Sequence, residues 1–374
     1  MTVASVEAIP VLYREPNDHG GERSLCFVRV ADSDGRVGWG EAVTMWPEAS
    51  RATVELVRGM APLVVGRDPV QTEAIWSDLR GHAWWYGGAG IASFAVAAID
   101  IALWDLEGQV LGRPVVDLLG GPVHSELPAV VSSHAGKSEI AAMADEISGW
   151  LVGGARGVKV GFGKRGDAHL GFEHDRDVAF VRAVREAIGP ERLLMVDLGV
   201  RNRWTVAEAV SRVRAFEEHG LHWIEEPLGA DDPAGYETLR AKTATLIAYG
   251  EREWNVRGLQ RVLESGTCDV CGIDPGRAEG ITGFLRAARI AEATGRQTNA
   301  HSWSGAPIQA ASLALSWALP SCRQLEVKPL RNPMQHDIAV GVPEPVDGLW
   351  PLPERPGLGI EMDEQALDGF RLDR

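Results

Sequence analysis

Three acids sit where chemistry is easiest to build. In LLMVDLGVRNRW an apolar run at 193–196 ends abruptly in Asp197. LHWIEEPL brings a second run to Glu225, and TLIAYGERE brings a third to Glu251. Apolar runs that stop at an acid read as buried parallel strands whose C-terminal ends open into a site. The acids are 28 and 26 residues apart, about one strand and one helix each time. Successive strand tips at that period converge at one end of a parallel barrel. A buried carboxylate is costly unless something pairs with it. Three of them, offering only oxygen and leaving room for water and substrate, suit Mg²⁺. A single strand-tip acid would ordinarily be a solvated charge or a helix cap; three at this spacing point to a metal. Glu226, next to Glu225, alternates to the other side of its strand and is expected to make a structural contact.

His301 ends the short run RQTNAH, and Asp274 ends CDVCGID, 27 residues earlier. A histidine there is often a capping or core residue. A carboxylate one strand over changes the reading, because it can bond one ring nitrogen, fix the tautomer and raise the basicity of the other. The pair is therefore a candidate general base with its orienting acid.

The remaining chain supplies elements to hold these groups. Residues 1–125 mix strands and helices, with a hairpin turn at Asp34–Gly35 and a long alanine-rich helix in GIASFAVAAIDIALWDLEGQVLG, apolar enough to be buried. From 126 to 339 the pattern alternates strand and helix, giving about eight strands with seven helices between them. The predicted fold is α/β: a modified (β/α)₈ TIM barrel carrying an α+β capping domain, with its site at the C-terminal strand ends. The tail, 340–374, is expected to pack back on the cap.

Composition narrows the function. The 374 residues are 45% hydrophobic and carry a formal charge of −15, which is ample for a large core and offers no basic stripe for nucleic acid or anionic membrane. An anionic small molecule remains possible where a divalent cation supplies the local charge. No apolar run is long enough to span a bilayer. The N-terminus lacks a signal-peptide pattern, so a cytoplasmic protein is expected. Cys268 and Cys271 form a CxxC that could suggest zinc or redox chemistry. It has no second pair and no helix start after it, so core cysteines are expected.

Taken together, IDIALWDLEGQVLGRPVVDLLGG, VKVG, VD, WIEEPL, YGE, IDPGRAEGITG, NAHSW and PGLGIE, in this order and at βα spacing, resemble the enolase superfamily, and within it the mandelate racemase group. The resemblance covers essentially the whole chain. It implies one Mg²⁺ on Asp197, Glu225 and Glu251. It implies abstraction of the proton α to a substrate carboxylate, with His301 and Asp274 as the base on one face, and a homo-oligomeric assembly. It also implies that Glu326 hydrogen-bonds the substrate carboxylate opposite the metal. That role needs a protonated acid, hence a raised pKa.

The chain departs from the group in two places. Members often carry Lys-x-Lys on the second barrel strand, the second lysine serving as base on the opposite face. Here GVKVG offers only Lys159, with glycine at 157 or 161 in place of the other, depending on the alignment. Period two points 157, 159 and 161 to one face, so Lys159 faces the barrel interior either way. Lys164 and Arg165, in the loop beyond, rank behind it. The second departure is Gly199, where an asparagine is usual; Asn202 is the candidate substitute.

Specificity should come from the cap loop 14–23, with Arg14, His19 and Arg23, from Trp46 and the aromatic run at 84–86, and from Arg201, Arg252 and Trp303 just past strand tips. The expected activity is dehydration of a sugar acid to a 2-keto-3-deoxy acid by one histidine. A racemase, epimerase or cycloisomerase, which would call on Lys159 for the other face, is the alternative. A ligand-binding protein that kept the fold without the chemistry is the third reading.

Overall fold

The computed structural model describes residues 1–199, 202 and 204–373. The chain opens with an antiparallel sheet of β1 (Val3–Glu15), β2 (Gly21–Asp32) and β3 (Val37–Met45). Three helices follow: α1 (Pro47–Met60), α2 (Thr72–Ala83) and α3 (Ile91–Leu111). Alternation along β2 and β3 buries one sheet face against α3. The contact is backbone to backbone: a Cβ on Gly40 would lie 1.9 Å from the Ala98 carbonyl oxygen. α3 is apolar nearly all round because it is covered on two sides. Its other side meets the barrel, where Asp100 accepts from Thr282 N at 2.9 Å and Trp104 Nε1 donates to Thr282 Oγ1 at 2.9 Å.

Eight parallel strands follow: β4 (Ala129–Ser133), β5 (Gly157–Phe162), β6 (Leu193–Leu198), β7 (Trp223–Glu225), β8 (Leu246–Tyr249), β9 (Val270–Ile273), β10 (Gln297–Ala300) and β11 (Leu325–Val327). They pair in the order β10-β9-β8-β7-β6-β5-β4-β11. A lone parallel bridge between Thr298 and Cys322 brings the ends together, so the barrel is nearly closed. Seven helices separate the strands among the described residues, as the alternation predicts. Inside, Val130, Met195, Trp223, Ala248 and Val270 form a packed apolar layer. The side chains one step further along each strand stand on that floor.

All four cysteines are buried and unpaired. The tail runs across the barrel as well as the cap. Gly348 and Trp350 bond to Ala129 and Leu127 at the foot of β4, and Leu372 N donates to the Pro10 oxygen of β1 at 2.9 Å. Among the described residues no helix is long and apolar enough to cross a membrane.

Candidate active site

Strand register sets the geometry. Gly161 of β5 lies opposite Asp197 of β6, and Asp197 lies opposite Glu225 of β7. Glu225 pairs with Ala248 of β8, three residues before Glu251. The chain reaches Glu251 through Gly250, whose φ of 138° suits glycine, and where a Cβ would lie 2.6 Å from the Gly272 oxygen. The three acids thus lie at the same end of the barrel, and neighbouring acids act on Glu225 and Asp197. Glu225 shows it most: burial first, then the charges of Asp197 and Glu251, push its pKa up to about 7 against the pull of Lys159. Asp197 and Glu251 are only partly buried, and nearby cations hold both below the ordinary carboxylate range against the desolvation that raises them: Lys164 and Lys159 at Asp197, Arg277 and His301 foremost at Glu251.

Two ammonium groups answer this negative charge. Lys159 Nζ bonds Glu225 Oε2 at 2.7 Å and lies 3.4 Å from Glu326 Oε2. Lys164 Nζ bonds Asp197 Oδ2 at 2.8 Å. With the carboxylates turned to these lysines, no group of three or more His, Cys, Asp or Glu side chains among the described residues is gathered to hold an ion as it stands. The donor set nonetheless fits a hard divalent cation. It is all oxygen, it comes from three adjacent strands, and a positive charge already lies against Asp197 and against Glu225.

His301 stands across the mouth. Its Nδ1 is 2.7 Å from Asp274 Oδ2, while its Nε2 faces Glu251 Oε2 at 3.5 Å and Glu326 Oε1 at 3.9 Å. Asp274 is itself fixed, by Gly276 N at 2.8 Å and by Arg277 Nε at 3.1 Å. Burial disfavours a charged ring, but Glu326 and Asp274 outweigh it and raise the His301 pKa above the ordinary value. Arg277 was not foreseen, although it lies three residues after Asp274 in IDPGRAEG, a spacing that one helical turn brings together.

Glu326 departs from expectation. Burial pushes its pKa up, but Lys159, His301 and the Ser302 amide pull it below the ordinary value. The neighbours that decide it are cations rather than the acids anticipated, so the carboxyl is held ionised. Lys159 is the counterpart: burial disfavours its charge, yet Glu225, Glu326 and Asp197 hold its pKa well above normal.

The cap contributes unevenly. Arg14 is exposed and alternates with the buried Tyr13 and Glu15, so it points away from the buried face of β1. Glu15 does the reverse: it bonds Lys328 Nζ at 2.8 Å, just past β11. His19 sits at φ 52° with its ring between Gly136 and Gly166, on the loops after β4 and β5. Trp46 is 53% exposed. Arg252 is paired with Glu226 at 2.7 Å, and the charges of Glu251, Glu225 and Asp197 also act on that glutamate. Trp303 is buried, donates to the Ser132 oxygen at 3.2 Å, and carries the Arg23 guanidinium 4.3 Å from its ring centre. Asn202 lies against Leu170, Nδ2 to O at 3.4 Å. Arg201 lies outside the described residues.

A nearly closed eight-stranded barrel with acids on three successive strand tips and a His–Asp pair across the mouth defines a class of enzyme, and comparison with known proteins gives the family. The enolase C-terminal domain-like profile matches residues 142–366, and the mandelate racemase/muconate lactonizing enzyme N-terminal profile matches residues 18–120. The chain belongs to the enolase superfamily, mandelate racemase group. It is 29% identical to D-galactarolactone cycloisomerase of Agrobacterium fabrum, over 94% of this chain and 92% of that one. It is 30% identical to L-rhamnonate dehydratase of Saccharopolyspora erythraea, over 91% and 83%. A racemase from Streptomyces coelicolor A3(2), solved with bound magnesium, superposes with a TM-score of 0.86 at 26% identity, over 99% and 100%. Members of the superfamily use Mg²⁺.

Proposed function

We propose that this protein is a Mg²⁺-dependent lyase that removes water from a sugar acid, with Asp197, Glu225 and Glu251 as the metal ligands and His301 as the base. The observation that carries the reading is the asymmetry of the mouth. One face has a fixed imidazole, His301 on Asp274. On the other, the strand position level with Asp197 is Gly161, and the one amine that covers it, Lys164, has its ammonium bonded to Asp197 rather than free.

When bound, the cation neutralises the charge that builds on the substrate carboxylate as the α-proton leaves. His301 Nε2 takes that proton. Asp274 accepts from Nδ1–H throughout and stabilises the imidazolium, and Arg277 keeps Asp274 in place. The same imidazolium returns the proton to the β-oxygen as its bond to carbon breaks. Water leaves, and the resulting enol tautomerises to a 2-keto-3-deoxy acid. Lys159 stays charged beside Glu225 and Glu326 and offers the substrate carboxylate a fixed cation at the barrel floor. One base suffices because both proton transfers occur on one face, whereas racemisation needs a partner on the other.

A second reading uses the same base: the departing β-oxygen belongs to a ring, so the product is an opened acid. The similarity to D-galactarolactone cycloisomerase favours it. Proton NMR in D₂O with Mg²⁺, against stereochemically varied sugar acids and their lactones, tests both. Loss of the β-hydroxyl to a keto acid supports dehydration. Ring opening without loss of water supports the second reading. Exchange of the α-proton on an unchanged, epimerising skeleton would overturn both and return Lys159 to the role of base.

A further inference from the structure

Gly161 removes a side chain, and the space is filled from elsewhere. A Cβ there would lie 2.7 Å from both Cγ and Cε of Lys164, and 2.4 Å from Nδ1 of His134. Lys164 therefore lies across the glycine to reach Asp197, and the His134 ring points at the same spot from the end of β4. His134 is nine-tenths buried, and its Nδ1 has no hydrogen-bond partner among the described residues. The ring packs 5.1 Å from Trp303, whose indole also carries Arg23. Arg23 Nε is likewise buried without a partner, while its Nη2 bonds Asp18 at 3.2 Å. Arg165 approaches the same Asp18 at 3.7 Å and, with Lys164, lines a cavity of about 130 Å³ that begins at Gly161.

Buried polar nitrogens left unpaired are costly and rare, so each asks for a partner. Here Arg23 and Arg165 share one acid, Asp18, and two buried nitrogens, Arg23 Nε and His134 Nδ1, have no partner among the described residues. The charge also shows on His134, whose pKa is well below the ordinary value, through burial first and then Lys164, with Arg23 and His19 adding to it. The place is one strand from Asp197, ~5 Å across the sheet, a span that a short sugar chain covers.

We infer that the space over Gly161, with the cavity lined by Lys164 and Arg165 on one side and His134 and Arg23 beside it, binds an anionic group at the far end of the substrate, so that the preferred substrate is a doubly anionic sugar acid. This rests on the proposed reaction for the position of the first carboxylate, which Mg²⁺ and Lys159 hold. The second anion is either a terminal carboxylate or a terminal phosphate, which offer the same charged oxygens to these donors. With Asp197 holding the cation, the Lys164 ammonium would be free to turn to that group.

Calorimetry on the Mg²⁺-loaded His301→Asn variant separates binding from turnover. D-glucarate, 6-phospho-D-gluconate and D-gluconate share one backbone, and galactarate and galactonate form a second matched set. In at least one set a doubly anionic acid should bind tenfold or more tighter than its monoanionic match. Arg23→Met and Arg165→Met, made in the same background, should each remove most of that preference and leave the monoanionic acid within about twofold. Arg165 is half exposed, so its substitution does not threaten folding, and Arg23→Lys should restore part of the preference. A glucarate advantage identifies a carboxylate, and a phosphogluconate advantage a phosphate. Equal affinities within both sets, or a preference that survives both substitutions, would overturn the pocket. If wild-type enzyme turns over none of these acids yet the preference stands, the proposed reaction fails and the pocket does not.

Discussion

At the scale of single residues, what matters is which charge answers which. Asp274 touches no substrate in the proposed reaction, but it holds the tautomer of His301 and is held in turn by Arg277. Asp274→Asn keeps the shape and loses the preference for a proton on Nδ1. We expect kcat to fall by about 10²–10⁴ with little change in KM, measured by steady-state kinetics on whichever acid the NMR panel identifies. A loss confined to KM would mean that Asp274 merely shapes the pocket. Away from the chemistry, Glu15 and Lys328 are 0% and 2% exposed and join the cap to the end of β11. Removing one member of a buried pair strands the other, so Glu15→Gln should destabilise by about 3–5 kcal/mol in denaturant melts. The pH dependence has a definite sign. The Glu15 pKa is lowered from 4.5: burial opposes the shift, and Lys328 and Asn17 more than overcome it. The stabilisation is therefore complete above that value and lost as pH falls through the lower folded pKa. The gap between wild type and Glu15→Gln should narrow in acid; a gap independent of pH would show that the loss is one of packing.

At the scale of elements, close approaches are the sensitive points. β3 can lie on α3 only because Gly40 has no Cβ, with the Ala98 oxygen where that atom would be. Gly40→Ala must push the helix away from the sheet, and α3 is also the layer that docks the cap onto the barrel. A cost of at least about 2–3 kcal/mol in thermal or urea unfolding is expected; a neutral result would mean that α3 shifts freely. The same scale explains how much could be read beforehand. Asp197, Glu225 and Glu251 were legible because each ends an apolar run, and a parallel strand that must bury both faces leaves no other place for an acid. Lys159 was legible in direction, since period two fixes its side of β5. The occupant of the space over Gly161 was not. A glycine marks a gap without naming what fills it, and Lys164 enters from a loop that carries no period. The ionised state of Glu326 was hidden for a related reason: it is set by Lys159 and His301 across the barrel, residues far from it in sequence. The ion pair that engages Arg252, a candidate for substrate binding, was hidden because alternation gives Glu226 a strand face and no reach.

At the scale of the whole molecule, two lysines offset a local concentration of negative charge at the barrel mouth. The chain carries a formal charge of −15, and three of its acids meet at one barrel mouth, where Lys164 and Lys159 now compensate them. In the proposed reaction Mg²⁺ would bring two charges to the point where the acids repel, and ligation through Asp197 Oδ2 would replace the Lys164 ammonium bonded there. Binding to the folded state alone stabilises by mass action, about 2.7 kcal/mol at a free concentration one hundred times Kd. A thermal midpoint that rises by a few degrees with Mg²⁺ and returns with EDTA is therefore expected. Asp197→Asn should abolish the rise, because it removes a ligand and leaves Lys164 unpaired. Lys164→Met should do the opposite: with no ammonium to displace, Mg²⁺ should bind more tightly by calorimetry, although the metal-free protein, now with uncompensated acids, melts lower. The two variants act on the same ion pair from its two ends. If both weakened Mg²⁺ alike, Lys164 would belong to the metal site as a support, and the exchange of lysine for cation would not occur.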